Sequence, residues 1–156
     1  MSALLLAIDP GAVSGAYAVF FDDGWPLVGD MPVADGQLDA AYFGHMLREM
    51  NPRAAVVERV GSMPKQGVAS TFKFGMAVGI IHGALLAGCV PMHLVTPSEW
   101  KRGMKLSADK EEARALAIRL FPKVEGLHLK KHQGRAEALL LGHYFMLRNG
   151  SNDHDI

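Results

Sequence analysis

The stretch Leu4-Leu5-Leu6-Ala7-Ile8-Asp9-Pro10-Gly11 decides the fold of this 156-residue chain. Five consecutive apolar residues show no alternation, so a strand here has both faces covered and belongs at the centre of a sheet. Pro10 and Gly11 then turn the chain. Asp9 is left just past the strand end, where open α/β sheets gather their ligands. Taken alone, Asp9 either opens a turn or serves as a metal-binding carboxylate. The partners brought by the rest of the chain decide between the two.

Working outward, Gly15 to Phe21 reads as a second strand and Asp22-Asp23-Gly24 as a hairpin turn. Trp25 to Met31 is then a third strand, antiparallel to the second. Asp35-Gly36 is a loop. From Gln37 to Met50, apolar residues recur with helical spacing until Asn51-Pro52 stops them. Ala54-Ala55-Val56-Val57 is a short buried strand, and Glu58 follows it directly. A second carboxylate thus ends a second apolar strand, 49 residues after Asp9. That separation leaves room for a hairpin and a crossover helix. If the two strands are parallel neighbours, Asp9 and Glu58 lie close together. The alternative for Glu58 is a surface ion pair with Arg59.

Gly61 to Gly67 is an irregular loop, and Ser70 is a candidate N-cap for the helix after it. That helix carries Phe72, Phe74, Met76, Val78, Ile81 and Leu85, with small residues at Gly75, Gly79, Gly83 and Ala87. Helical glycine costs about 1 kcal/mol per site, so close packing must offset it, against the sheet or against a second copy of the helix. Val90 to Val95 is a further strand. Thr96-Pro97-Ser98-Glu99 is a capping box with proline at the first helical position, and Trp100 anchors the helix it starts. Lys101 to Lys105 reads as a basic loop. Ser107 or Asp109 caps a helix ending near Phe121-Pro122. Lys123 to Gln133 is loop-like, and a last helix starts at Gly134 or just before it and runs to about Arg148. Residues 149–156 read as a flexible tail.

Apolar content is 49%, which marks a globular chain, and the length suits one domain. Formal net charge is zero, yet from Lys101 to Arg135 there are ten basic against four acidic residues. Such a split can build a basic face on a neutral protein. Cys89 is the only cysteine, which excludes an internal disulfide and a cysteine-based zinc site. The N-terminus has no basic n-region and does not read as a signal peptide. The apolar stretch Ala77 to Pro91 reads as too short and too interrupted to span a bilayer, so no membrane association is expected.

Glu137 lies in the first turn of the last helix, among small and apolar residues. It either complements the helix dipole or, pressed against an apolar face, needs a partner or a metal. Gln133 or His132 shares its face if the helix starts early enough. Three acids converging from two strand ends and a helix start make a site for a hard cation, Mg2+ or Mn2+. Two such ions can bracket a scissile phosphate, while neighbouring lysines hold phosphates.

The ordered set Ile8-Asp9-Pro10-Gly11, Val57-Glu58-Arg59-Val60, Ser70 to Gly75, Thr96 to Lys101 and Lys130-Lys131-His132-Gln133-Gly134-Arg135-Ala136-Glu137-Ala138 resembles the RuvC family of Holliday junction resolvases. The likeness is greatest to the bacteriophage and chloroplast branch and covers roughly residues 4 to 147. It implies an α/β ribonuclease H-like fold, with a central mixed five-stranded sheet and helices on both faces, over residues 1–148. It also implies a homodimer that cuts paired strands of four-way junction DNA using Mg2+ or Mn2+, with two ions per site and no organic cofactor. The expected setting is the cytoplasm or nucleoid of a bacterium or phage-infected host, with an organelle as the weaker alternative.

By this resemblance Asp9, Glu58 and Glu137 are the catalytic metal ligands. The family places a fourth ligand four residues before the helix acid, and here that position is Gln133. Either His132 swings in, or Gln133 holds a metal-bound water, or the protein is impaired. The Gly61–Gly67 loop would supply Met63 as an apolar wedge between bases, with Lys65 and Gln66 beside it. Lys73, Lys101, Lys105, Lys110, Lys130, Lys131 and Arg135 are the expected DNA contacts, with Lys105 and Lys131 nearest the ions and Lys105 assisting catalysis. Three other readings compete. A nuclease of the same fold could act on RNA, as in the YqgF group. A non-catalytic junction-binding protein is kept open by Gln133. A sugar kinase or actin-like ATPase would need a second domain, for which the chain has no room.

Overall fold

The computed structural model describes residues 2–11, 15–61 and 64–150. At its centre is β1 (Leu5–Asp9), hydrogen-bonded on both edges. One neighbour is β2 (Ala16–Phe20), antiparallel, with Asp9 opposite Ala16. β3 (Leu27–Asp30) extends that side, antiparallel to β2. The other neighbour is β6 (Ala55–Glu58), parallel to β1 with Ile8 beside Val57. β7 (Met92–Val95) lies parallel to β6 and closes the order β3-β2-β1-β6-β7. This is the expected mixed five-stranded sheet of a ribonuclease H-like fold.

Among the described residues five helices cover it: α1 (Ala40–Met50), α2 (Val68–Ala87), α3 (Pro97–Gly103), α4 (Lys110–Leu120) and α5 (Gln133–Gly150). The apolar run of β1 divides by parity, as successive strand side chains point to opposite faces. Leu6 and Ile8 join Phe43 and Leu47 of α1 and Ile81 and Leu85 of α2 in one core. Leu5 and Ala7 join Trp100 of α3, Ala113 and Ala117 of α4 and Leu139 to Leu141 of α5 in the other. Each fully buried large side chain contributes about 1.5–3 kcal/mol. α5 passes close to the sheet at Gly142. A Cβ there would fall 2.3 Å from Phe20 Cε2 and 2.9 Å from Ala7 Cβ, so only glycine lets the helix seat at this depth.

Some boundaries differ from the sequence expectation. Residues Gln37–Leu38 are not helical: they form β5, paired with β4 (Val33–Ala34) around Asp35 and Gly36, both at positive φ. Helix α1 starts later, where the Asp39 side chain accepts from Tyr42 N. Helix α2 starts earlier than Ser70, with Gly67 as its N-cap and no side-chain cap. Lys130–His132 form a short 3-10 turn leading into α5, which continues to Gly150 and so absorbs the first two residues of the expected tail.

Helix α2 also corrects the reading of its apolar stretch. Gly75, Gly79 and Gly83 lie inside 20 unbroken helical residues, which by length and composition alone could cross a membrane. Of its buried residues Ala77, Ile81 and Leu85, the last two are built into the sheet's core. Most of its remaining surface is uncovered.

Candidate metal centre

Three backbone features deliver the acids. β1 ends at Asp9, and the close passage of Gly15, whose Cβ would lie 2.4 Å from Asp9 O, fixes the exit of the chain. β6 ends at Glu58, one residue after the Ile8–Val57 pair, so the two carboxylates leave adjacent parallel strands side by side. Glu137 sits on the buried face of α5. One carboxylate oxygen from each of Asp9, Glu58 and Glu137 lies within 4.8 Å of the others.

The protonation of the cluster follows from this crowding. Burial pushes the Asp9 carboxyl well above the usual range, the negative charges of Glu58 and Glu137 add to it, and a hydrogen bond with Glu137 favours the protonated form. Glu58 is also raised by burial and by Glu137, against the pull of a 2.7 Å hydrogen bond from Trp100 Nε1 and the charges of Lys101 and Lys110. Glu137 Oε1 is buried without a hydrogen-bond partner. Lys101 Nζ stands 3.5 Å from it, close enough for charge attraction but too far for a good hydrogen bond. An orphaned carboxylate oxygen inside a tight set of three acids suits a hard, oxygen-seeking divalent cation.

The acids open into a cleft of about 710 Å³. Four basic residues, Arg59, Lys101, Lys110 and Lys131, line it, and Asp30 closes one side. Of the lysines expected nearest the ions, Lys131 is in this lining and Lys105 is not. Lys105 sits in the left-handed region (φ 57) just past α3 and is exposed. The cleft-lining lysines from that segment are Lys101 in α3 and Lys110 at the first position of α4.

Gln133 and His132 do not join the acids. Gln133 Nε2 donates a 2.6 Å hydrogen bond to Glu111 Oε1 on α4. His132 is buried, and its Nδ1 accepts from Leu129 N at 3.2 Å. Burial and the positive neighbours Arg135, His128 and Lys131 hold that imidazole below its usual pKa. The residue of this segment that faces the acids is Gly134, where an added Cβ would lie 3.7 Å from Asp9 Oδ2.

Arg135 is committed within the protein. Its Nε and Nη2 donate to the two Asp30 carboxylate oxygens, each at 2.8 Å, and Nη1 donates to Gly126 O at 3.2 Å. Lys73 Nζ reaches Gly36 O at 3.5 Å, away from the acids. Lys130 is exposed on the 3-10 turn, and Lys65 is exposed at φ 66 with the partly buried Gln66 beside it. Met63 lies outside the described residues. Sequence reasoning did not link Trp100 to Glu58, or place Arg59 and Asp30 in the cleft. The Trp100 and Asp30 contacts join residues far apart in the chain and carry no local signal, whereas Arg59 directly follows Glu58.

No protein-family model matches the chain, and no curated protein matches it. Solved structures do. The Thermus thermophilus RuvC structure superposes with a TM-score of 0.67 at 22% identity, covering 94% of this chain and 96% of that one. T. thermophilus RuvC in complex with a Holliday junction substrate gives 0.66 at 21% identity over the same shares. The yeast mitochondrial Holliday junction resolvase Ydc2 gives 0.61 at 12% identity, covering 99% of this chain and 82% of that one. At these identities the likeness establishes the fold: the chain has the ribonuclease H-like α/β architecture that these resolvases share, and its three acids form a candidate divalent-metal site within it.

Proposed function

We propose that the protein is a structure-selective endonuclease that resolves four-way DNA junctions by divalent-metal-dependent phosphodiester hydrolysis. The observation that carries this reading is the convergence of the Asp9, Glu58 and Glu137 carboxylate oxygens within 4.8 Å, at the floor of a cleft rimmed by basic side chains. On this reading the three carboxylates hold Mg2+ or Mn2+, two ions per site. When bound, the metal supplies Lewis-acid activation of the attacking water and of the leaving oxygen.

The chain's own residues supply the rest. Lys101, Lys110, Lys131 and Arg59 hold the phosphate and offset the charge that develops on its oxygens. The proton that water loses is released to solvent. A new P–O bond forms from water, the bond to the 3′ oxygen breaks, and a proton goes to that oxygen. The products are a 5′-phosphate and a 3′-hydroxyl that ligase can rejoin. Lys65, Gln66, Lys73, Lys105 and Lys130 then belong to the wider DNA footprint, and Met63 to the loop that probes the junction centre.

Symmetric cutting needs two copies, and α2 supports a homodimer. Val68, Phe72 and Leu86 on it are 88%, 68% and 61% exposed, and a Cβ at Gly75, Gly79 or Gly83 would meet open space. Membership in the bacteriophage and chloroplast branch, and a place in the cytoplasm or nucleoid of a bacterium or phage-infected cell, belong to the same proposal. A junction-binding protein without cleavage is the second reading. It is favoured by Gln133, whose amide is tied to Glu111 and leaves three carboxylates in the cluster.

The test is incubation of the protein with a synthetic four-way junction and a matched linear duplex, in Mg2+ or Mn2+. Paired symmetric nicks on the junction, abolished by Asp9→Asn, are expected. Tight junction binding without nicks selects the second reading, and equal cutting of the duplex sinks structure selectivity.

A further inference from the structure

Lys110 and Gly134 face the same cleft from the N-terminal ends of two different helices, α4 and α5. The residue next to each joins the two ends. Gln133 Nε2 donates to Glu111 Oε1 at 2.6 Å. Glu111 is held in turn by Arg114, whose Nη2 donates to Glu111 Oε2 at 2.8 Å. The Arg114 Nη1 donates to Leu127 O at 3.1 Å and His128 O at 2.9 Å, in the segment that leads into the 3-10 turn and back to Gln133. The Asp109 side chain caps the same end of α4 by accepting from Glu111 N at 2.9 Å. A closed ring of polar contacts therefore runs from α4 through Glu111 to α5 and back through Arg114.

We infer that Gln133 is a positioning residue: through Glu111 it fixes the first turn of α4 and so holds Lys110 over the acid cluster. This rests on the reading of the cleft as a metal-dependent nuclease site. The amide suits the task because it donates to a carboxylate and adds no charge beside Asp9. A carboxylate at 133 would repel Glu111 and release the end of α4. Lys110 is exposed and has a long stem, so without a fixed helix end its ammonium would sample much of the cleft mouth. Its position matters because misplacing a group that contacts a reacting phosphate by about 1 Å can cost about a hundredfold in rate.

The test uses the full chain with 13C-dimethylated lysines and stoichiometric Mn2+, with Lys110 assigned by comparison with Lys110→Arg. Paramagnetic broadening falls with the sixth power of distance, so it reports how near Lys110 stands to the acids. In the wild type the Lys110 methyl signal is strongly broadened. In Gln133→Ala that broadening is at least halved, while Mn2+ affinity stays within about twofold. The swapped pair Glu111→Gln with Gln133→Glu keeps one donor facing one acceptor and restores the broadening.

On unmodified protein, Gln133→Ala lowers single-turnover junction cleavage about tenfold, and has no further effect in a Lys110→Ala background. Unchanged Lys110 broadening in Gln133→Ala overturns the inference. So does an Mn2+ affinity about tenfold weaker, which would make Gln133 a ligand or direct support of one. Additive losses in the double variant also overturn it. A wild-type protein that binds Mn2+ and shows the Gln133-dependent broadening but cuts no junction sinks the nuclease reading and leaves this inference standing. A wild type that binds no Mn2+ sinks both.

Discussion

Trp100 Nε1 donates a 2.7 Å hydrogen bond to Glu58 Oε2, and the indole is fully buried. One residue thus packs α3 onto the sheet and supplies a direct indole donor to the acid cluster. The bond holds Glu58 in a defined orientation and opposes the upward push of burial on its carboxyl. Trp100→Phe keeps most of the packing and removes the donor. The expected cost is about 1–3 kcal/mol, because a buried acceptor loses its partner. Glu58 should then bind protons more tightly. The acid limb of a pH profile of Mn2+ binding should move to higher pH, and calorimetric titration at several pH values checks this.

In the metal-free protein Asp9 and Glu58 should cost stability as pH rises from 5 to 7. The trend is read as the difference between the wild type and Asp9→Asn, because His132 and His143, held below the usual imidazole range by burial, act in the opposite direction in both proteins. Burial raises both Asp9 and Glu58, so the folded state binds more protons than the unfolded chain wherever these groups titrate. Stability then falls as pH rises from the ordinary carboxylate range through the raised values. Glu111 works in the opposite direction: hydrogen bonds from Arg114 and Gln133 lower its pKa to about 2, and its contribution is lost only as pH falls through the more acidic range. Divalent metal should reverse the first trend. Mn2+ should raise Tm more at pH 7 than at pH 5, since at pH 5 it must displace protons. Thermal melts of the wild type and Asp9→Asn with and without Mn2+ at both pH values decide the matter; a metal-free Tm difference between the two that does not change from pH 5 to 7 would count against the crowded acid cluster.

Asp9→Asn and Gly134→Asp should move the cluster in opposite directions. The first removes one of three like charges, so it should raise the metal-free Tm, at about 2–4 °C per kcal/mol gained, while abolishing Mn2+ binding. The second adds a carboxylate from a position whose Cβ lies 3.7 Å from Asp9 Oδ2 and 3.3 Å from Ala16 Cβ. It should lower the metal-free Tm and tighten Mn2+ binding about tenfold, as added ligand charge does at oxygen sites. A Gly134→Asp protein with unchanged Mn2+ affinity would mean that the start of α5 does not face the ion.

Which parts of this site were legible in the sequence follows from where the signal lay. Asp9 and Glu58 each end an unbroken apolar run, and two such runs in one small α/β chain have few places to go except adjacent central strands. Glu137 showed as an acid on an apolar helical face. The position of Gln133 was not legible: it shares α5 with Glu137, but its amide is tied to Glu111 on α4, a contact between residues far apart in the chain that carries no local signal. Gly134, which does face the acids, has no side chain to announce it. Lys105 and Lys110 look alike in sequence, yet of the two only Lys110 lines the cleft. The β4–β5 ribbon had a signal in Asp35-Gly36, both at positive φ, but the helical spacing that continues from Leu38 outweighed it.

Phe72→Glu should separate dimerisation from folding. Phe72 is 68% exposed on α2 and absent from both cores, so a charge there should leave Tm within about 2–4 °C, the shift expected for about 1 kcal/mol in a chain of this size. Across a paired α2 face it would place two buried like charges near one another, and a cost of several kcal/mol would dissociate the pair. Sedimentation should show a dimer for the wild type and a monomer for the variant. Metal binding should survive, since Asp9, Glu58 and Glu137 all come from one chain. Paired nicking of a four-way junction should give way to slow, unpaired nicks. If the wild type is a monomer at micromolar concentration and still makes paired cuts, α2 is not the interface and its apolar face serves some other contact.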